Sequence, residues 1–151
     1  MPGGGVSTPL AAAVLGALLL AACEDTSYRD IGAQINVLTE RRDALVPGAV
    51  RQLTALGRRA LPQIETALHT ASPEGKAHLL RAVDAIADPE AAAILRHFAV
   101  YDPSAEVRSA CEEILGRWAA RPALASAARG ALARIAEKRA RGEGPVVRPE
   151  P

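Results

Sequence analysis

Aromatic side chains are scarce in this chain: one Trp, two Tyr and one Phe among 151 residues. A core made without them relies on Ala, Leu, Ile and Val, which bury less area each. At about 25 cal/mol per Å² of buried apolar surface, only ordinary stability is expected. Lysine is nearly missing as well, with Lys76 and Lys138 its only two occurrences. There are two cysteines, Cys23 and Cys111, too few for a disulfide framework. No Asn-Gly or Asp-Gly pair occurs, and Val and Ile never alternate with polar residues over a strand's length. Those absences remove the hairpin and strand signals and leave an all-α reading.

Chemistry is missing in the same way. His69, His78 and His97 are the only histidines, and their spacing makes no HExxH or other compact zinc pattern. No GxSxG elbow, glycine-rich phosphate loop or EF-hand loop is present. Glu112 and Glu113 are neighbours on a helix, about 100° apart, and form no acid/base pair. Cys111 falls at helical spacing with Ile114, Leu115 and Trp118 and reads as a buried structural thiol. The expectation is a non-catalytic protein with no metal, no cofactor and no small-molecule substrate.

What the chain does have begins with an apolar run, LAAAVLGALLLAA, from Leu10 to Ala22, followed by Cys23. All 18 basic and 17 acidic residues lie after that cysteine. The run is too short for a bilayer, which needs about 20 residues, and fits the apolar core of a secretory signal peptide. Leu20-Ala21-Ala22-Cys23 resembles the lipobox of bacterial lipoproteins. The resemblance implies that residues 1–22 are removed and that Cys23 carries lipid and anchors an exported protein to a membrane, on its periplasmic side or at the cell surface. Residues 23–43 then form the lipidated N-terminus, a linker and a capping helix.

Charge is uneven in the remainder. Glu24 to Gly116 holds 10 basic and 14 acidic residues, whereas Arg117 to Pro151 holds 8 basic and 3 acidic. A basic C-terminal helix is what a cytoplasmic adaptor would turn toward nucleic acid. In an exported protein no nucleic acid is expected, and the helix reads as a solvated cap with Arg129, Arg134 and Lys138 facing water.

Proline punctuates the helices. Ser72-Pro73-Glu74, Asp88-Pro89-Glu90 and Asp102-Pro103 each set a capping side chain before a proline in the first turn, and Pro62 and Pro122 also suit a first turn. Apolar stripes at helical spacing fall between them: Ile31/Ile35/Leu38, Val50/Leu53/Leu56, Leu61/Ile64/Leu68, Leu79/Ala82/Val83/Ile86, Ala91/Ile94/Leu95/Phe98, Cys111/Ile114/Leu115/Trp118, and Leu124/Ala128/Ala131/Leu132/Ile135. Leu79, Phe98, Leu115 and Trp118 are expected to carry most of the packing. The short connections predict antiparallel neighbours. The helices also recur in pairs with a period near 30 residues, the mark of a short α-solenoid of about three units.

Here the chain resembles the HEAT-repeat family, in particular short bacterial HEAT-like repeats. The matching residues are Ile86-Ala87-Asp88-Pro89-Glu90-Ala91, Glu106-Val107-Arg108 with Ala110, and Leu56-Gly57 and Leu115-Gly116, which resemble the family's Leu-Gly ending of a first helix. In the middle repeat Asp84 replaces the glycine. The resemblance implies a HEAT-like repeat domain over residues 44–141, with helical caps, followed by a disordered tail at 142–151. In such stacks the second helices line the binding face. By angle opposite the apolar stripes, Gln63, Thr66, Thr70, Arg96, His97, Val100, Tyr101 and Arg129 are expected on that face. The expected function is a lipid-anchored scaffold or adaptor that docks another cell-envelope protein. The alternatives are a cytoplasmic HEAT-like adaptor, a nucleic-acid-binding protein, or a HEAT-like enzyme subunit.

Overall fold

A computed structural model describes residues 28–40 and 43–145, and everything described is helix, turn or loop, with no strand. Cys23, the lipobox and residues 146–151 lie outside the described residues. A helical segment at residues 28–39, here α1, precedes six helices: α2 (Val46–Leu56), α3 (Leu61–Thr70), α4 (Pro73–Ile86), α5 (Ala91–Tyr101), α6 (Ala105–Ala119) and α7 (Ala125–Ala140). The 3-10 turns Asp43–Leu45 and Gly57–Ala60 flank α2.

Helix boundaries follow local chemistry. Ser72 Oγ accepts the Gly75 N–H at 3.2 Å and caps α4, with Pro73 in the first turn as expected. Gly57 ends α2 at φ +59°, in the left-handed region that favours glycine. Ala87 ends α4 in the left-handed conformation at φ 51°, which costs a residue with a Cβ about 1–2 kcal/mol. Four expectations need correction. Asp102 does not cap α6: it is buried, and Ser104 takes that role by accepting the Val107 N–H at 3.3 Å. Pro122 stands ahead of α7 in a turn where Leu124 N donates to Arg121 O at 3.0 Å. Leu115-Gly116 lies inside α6, which runs on to Ala119, so of the Leu-Gly pairs only Leu56-Gly57 stops a helix. Asp88 starts a turn rather than α5 itself. Its Oδ1 accepts the Glu90 N–H at 2.9 Å, and α5 opens at Ala91.

The stripes face one core. Ile31, Ile35, Leu38, Leu53, Ile64, Leu68, Leu79, Val83, Leu95, Phe98, Cys111, Leu115, Trp118, Ala128 and Ile135 are all buried in it. The principal contacts join consecutive helices, α3 with α4, α5 with α6 and α6 with α7, and helices two apart in the chain, α2 with α4, α4 with α6 and α5 with α7. This is an all-α domain of six helices packed on their neighbours. Asp84, the residue that departs from the repeat pattern, accepts Trp118 Nε1–H at 2.7 Å and pairs with Arg117 at 2.7 Å, tying α4 to α6. Gly75 matters by its size. A Cβ there would lie 3.4 Å from the Thr39 Cα, so the close approach of α4 to the end of α1 has little room to spare.

One ionic pair is inside the core. Lys76 Nζ meets Asp102 Oδ2 at 2.6 Å, with side chains only 9% and 1% exposed. Asp102 also accepts the Ser104 N–H at 2.9 Å through Oδ1, and Lys76 lies 5.9 Å from the Phe98 ring centroid. Both charges are therefore compensated, which a buried ion needs. No buried side-chain nitrogen or oxygen among the described residues is left without a hydrogen-bond partner.

Candidate binding face

The expected face residues divide into three groups. Gln63 is half-buried, with Nε2 donating to Tyr28 O at 3.4 Å. Thr66 and Thr70 are exposed but turn their hydroxyls back to Pro62 O and Ala67 O of their own helix. Arg129 is exposed and donates to Ala119 O at 3.2 Å, closing the end of α6. These four do not assemble into one site. Val100 is 1% exposed and belongs to the core, correcting its placement on the face. α5 packs on both α6 and α7, so its apolar stripe is wider than a single-sided helix would show.

His97 and Tyr101 line one recess, to which the structure adds His69, whereas Arg96 is half-buried and lines the separate furrow between α5 and α7. His97 is exposed, and its ring centroid lies 5.5 Å from His69, 5.2 Å from Phe98 and 5.3 Å from Tyr101. Desolvation by burial, followed by the neighbouring His69 and opposed by Glu65, holds the His97 pKa below its ordinary value. Tyr101 is half-buried and already engaged: its hydroxyl donates to Glu143 at 2.5 Å and accepts from Lys138 at 2.8 Å. Lys138 and Glu143 pair at 2.6 Å, each side chain about one-third exposed. The stretch read as a tail thus begins with an anchored residue. Lys138, expected toward water, closes a clasp over the Tyr101 ring, 5.3 Å from its centroid.

His69, Lys138 and Glu143 were missed by helical angle alone, which compares residues only within one helix. The repeat period held a signal for the first. Pro62 and Pro89 are 27 residues apart and the two histidines 28, and the structure sets the two rings 5.5 Å apart. Nothing in the sequence marks Glu143 as a partner for Tyr101.

Two furrows run along this side. One lies between α3 and α5 and is lined by Arg59, Pro62, Glu65, Glu90 and Ala93 among others. The other lies between α5 and α7, with Ala92, Ala93, Arg96, Gly130 and Arg134 on its walls. Ala93 borders both.

The described residues hold no group of three or more His, Cys, Asp or Glu that could bind a metal ion. Cys111 is fully buried, and desolvation pushes its thiol up to about 12, which makes it a packing residue and no nucleophile. No described helix is long and apolar enough to cross a membrane. Compared with known proteins, the chain matches no family model, no curated protein and no solved structure.

Proposed function

We propose that this protein is an exported, lipid-anchored scaffold of the bacterial cell envelope, which docks another protein on the α3–α5–α7 side and performs no covalent chemistry. On this reading α2/α3, α4/α5 and α6/α7 are three HEAT-like pairs of a short solenoid. In it α2, α4 and α6 form one layer and α3, α5 and α7 the other. The contacts of α2 with α4, α4 with α6 and α5 with α7 support the two layers, and that of α6 with α7 supports the last pair. The anchor rests on the uncharged leader that ends at Leu-Ala-Ala-Cys23. Several acyl chains hold a protein firmly to a membrane where a single chain does so only marginally.

The observation that carries the docking reading is the sharing of Ala93 by two adjacent furrows, which makes them one ribbed surface. One experiment tests anchor and face together, in cells labelled with a radioactive fatty acid. Wild type and Ala93→Trp take up label, and Cys23→Ser does not. Partner protein crosslinked to the wild type is lost from Ala93→Trp, whose indole fills both furrows. Ala93 is exposed, so folding should change by no more than about 0.5 kcal/mol. Equal labelling of all three removes the anchor. Undiminished crosslinking of a folded Ala93→Trp removes the face.

A further inference from the structure

We propose that the α5–α7 furrow is a docking groove for an acidic peptide segment, gripped by Arg96 and Arg134; this rests on the scaffold reading and specifies its ligand. The furrow encloses about 220 Å³ and no carboxylate lines it. Four other surface recesses each include at least one: Asp43 and Glu74 between α1 and α4, Glu65 and Glu90 between α3 and α5, Asp102 beside His97, and Asp84 and Glu113 between α4 and α6.

Neither Arg96 nor Arg134 has a hydrogen-bond or ion-pair partner among the described residues, whereas the other basic residues of α7 are engaged. Arg129 donates to Ala119 O, Lys138 to Tyr101 and Glu143, and Arg139 to Glu112 and Ala99 O. Two guanidinium groups therefore face one recess with all their donors free, where a carboxylate can accept two parallel bonds. The same engagement argues against a membrane or nucleic acid as occupant. Those flat or rod-shaped polyanions need a row of free cations along α7, and there Lys138 and Arg139 are already neutralised by Glu143 and Glu112.

Shape favours a peptide. The α7 wall runs from Ser126 to Arg134, about 12 Å at 1.5 Å per residue, enough for about four extended residues at 3.3 Å each. Ala92, Ala93, Ala127, Gly130 and Ala131 form its walls, and such small side chains let a backbone approach closely.

The test is fluorescence anisotropy on the full chain in detergent at low ionic strength, with a short labelled peptide of alternating Glu and Ala as the probe. Saturable binding is expected, with none for the peptide carrying Gln in place of Glu. Arg96→Ala with Arg134→Ala should weaken it roughly tenfold or more, and the matched Arg→Lys pair by less, because lysine keeps the charge but not the fork. Arg51→Ala with Arg81→Ala removes the same charge elsewhere and should leave binding within about twofold. Equal weakening by both alanine pairs overturns the groove, as does absence of binding to the wild type. Tighter binding of anionic phospholipid vesicles through Arg96 and Arg134 overturns the peptide. Loss of crosslinked partner in Ala93→Trp without any acidic-peptide binding defeats this inference alone. Peptide binding with partner retention insensitive to Ala93→Trp defeats the scaffold reading and leaves the groove's chemistry standing.

Discussion

α5 and α7 lie side by side and are held in place by different forces. α5 buries seven of its eleven residues, Ala91, Ala92, Ile94, Leu95, Phe98, Ala99 and Val100. α7 buries three of sixteen, Ala128, Ala131 and Ile135. Where α7 lacks apolar area it has polar ties: Arg129 to the end of α6, Arg139 to Glu112 of α6 and Ala99 O of α5, and Lys138 to Tyr101. A central helix contributes through area removed from water, whereas a terminal helix with solvent on one side relies more on directional bonds. Exposed ion pairs are worth little each, so the end of the domain should open before its centre.

The largest perturbation should come at the C-terminal end of α5. Asp102→Ala leaves Lys76 buried without its counter-charge, and about 3–5 kcal/mol of stability should disappear. Urea denaturation would show the loss as a shift of one cooperative transition. A loss under about 1 kcal/mol would mean that Lys76 swings to water, and the contrast between buried and exposed bonding would fail. A smaller effect is expected in α7. Arg139→Ala should cost no more than about 1 kcal/mol and speed amide exchange in α7 while leaving α5 protected. Equal acceleration in both helices would show that they open as one unit.

The smallest effect concerns pH. The folded-state pKa of His97 lies below the ordinary 6.5, so the unfolded chain binds more protons there as pH falls through that value. Stability from this group is therefore fully present above about pH 6.5 and declines as pH falls toward the folded pKa. His97→Gln should remove that slope from thermal midpoints measured between about pH 7.5 and 5.5. A slope unchanged in the variant would assign the effect to another group.

The apolar stripes placed the helices within a few residues, because helical spacing is a property of neighbouring residues. They failed where a side chain's role depends on a distant partner. Asp102 looks like a cap before a proline, yet Lys76, 26 residues earlier, draws it inward. Val100 lies off the main stripe of α5 and is buried because a second helix covers that flank. The basic run after Gly116 read as a cap turned to water, but most of those charges within α7 are engaged with α5, α6 and the residues just past its end. Helical angle put Arg96, His97 and Tyr101 in water, yet Arg96 and Tyr101 are half-buried and only His97 is exposed. His69 was recoverable from its spacing of 28 residues to His97, close to the 27 between Pro62 and Pro89, and Glu143 was hidden because a turn past the last helix brings it back.

The buried thiol of Cys111 gives the fold a built-in clock. In a Cys23→Ser chain it is the sole sulfhydryl, and it is sealed in the core with its proton held tightly. An alkylating reagent can reach it only when α6 lifts from its neighbours. The rate of modification then reports how often the middle of the molecule breathes, with no reporter group built into the core.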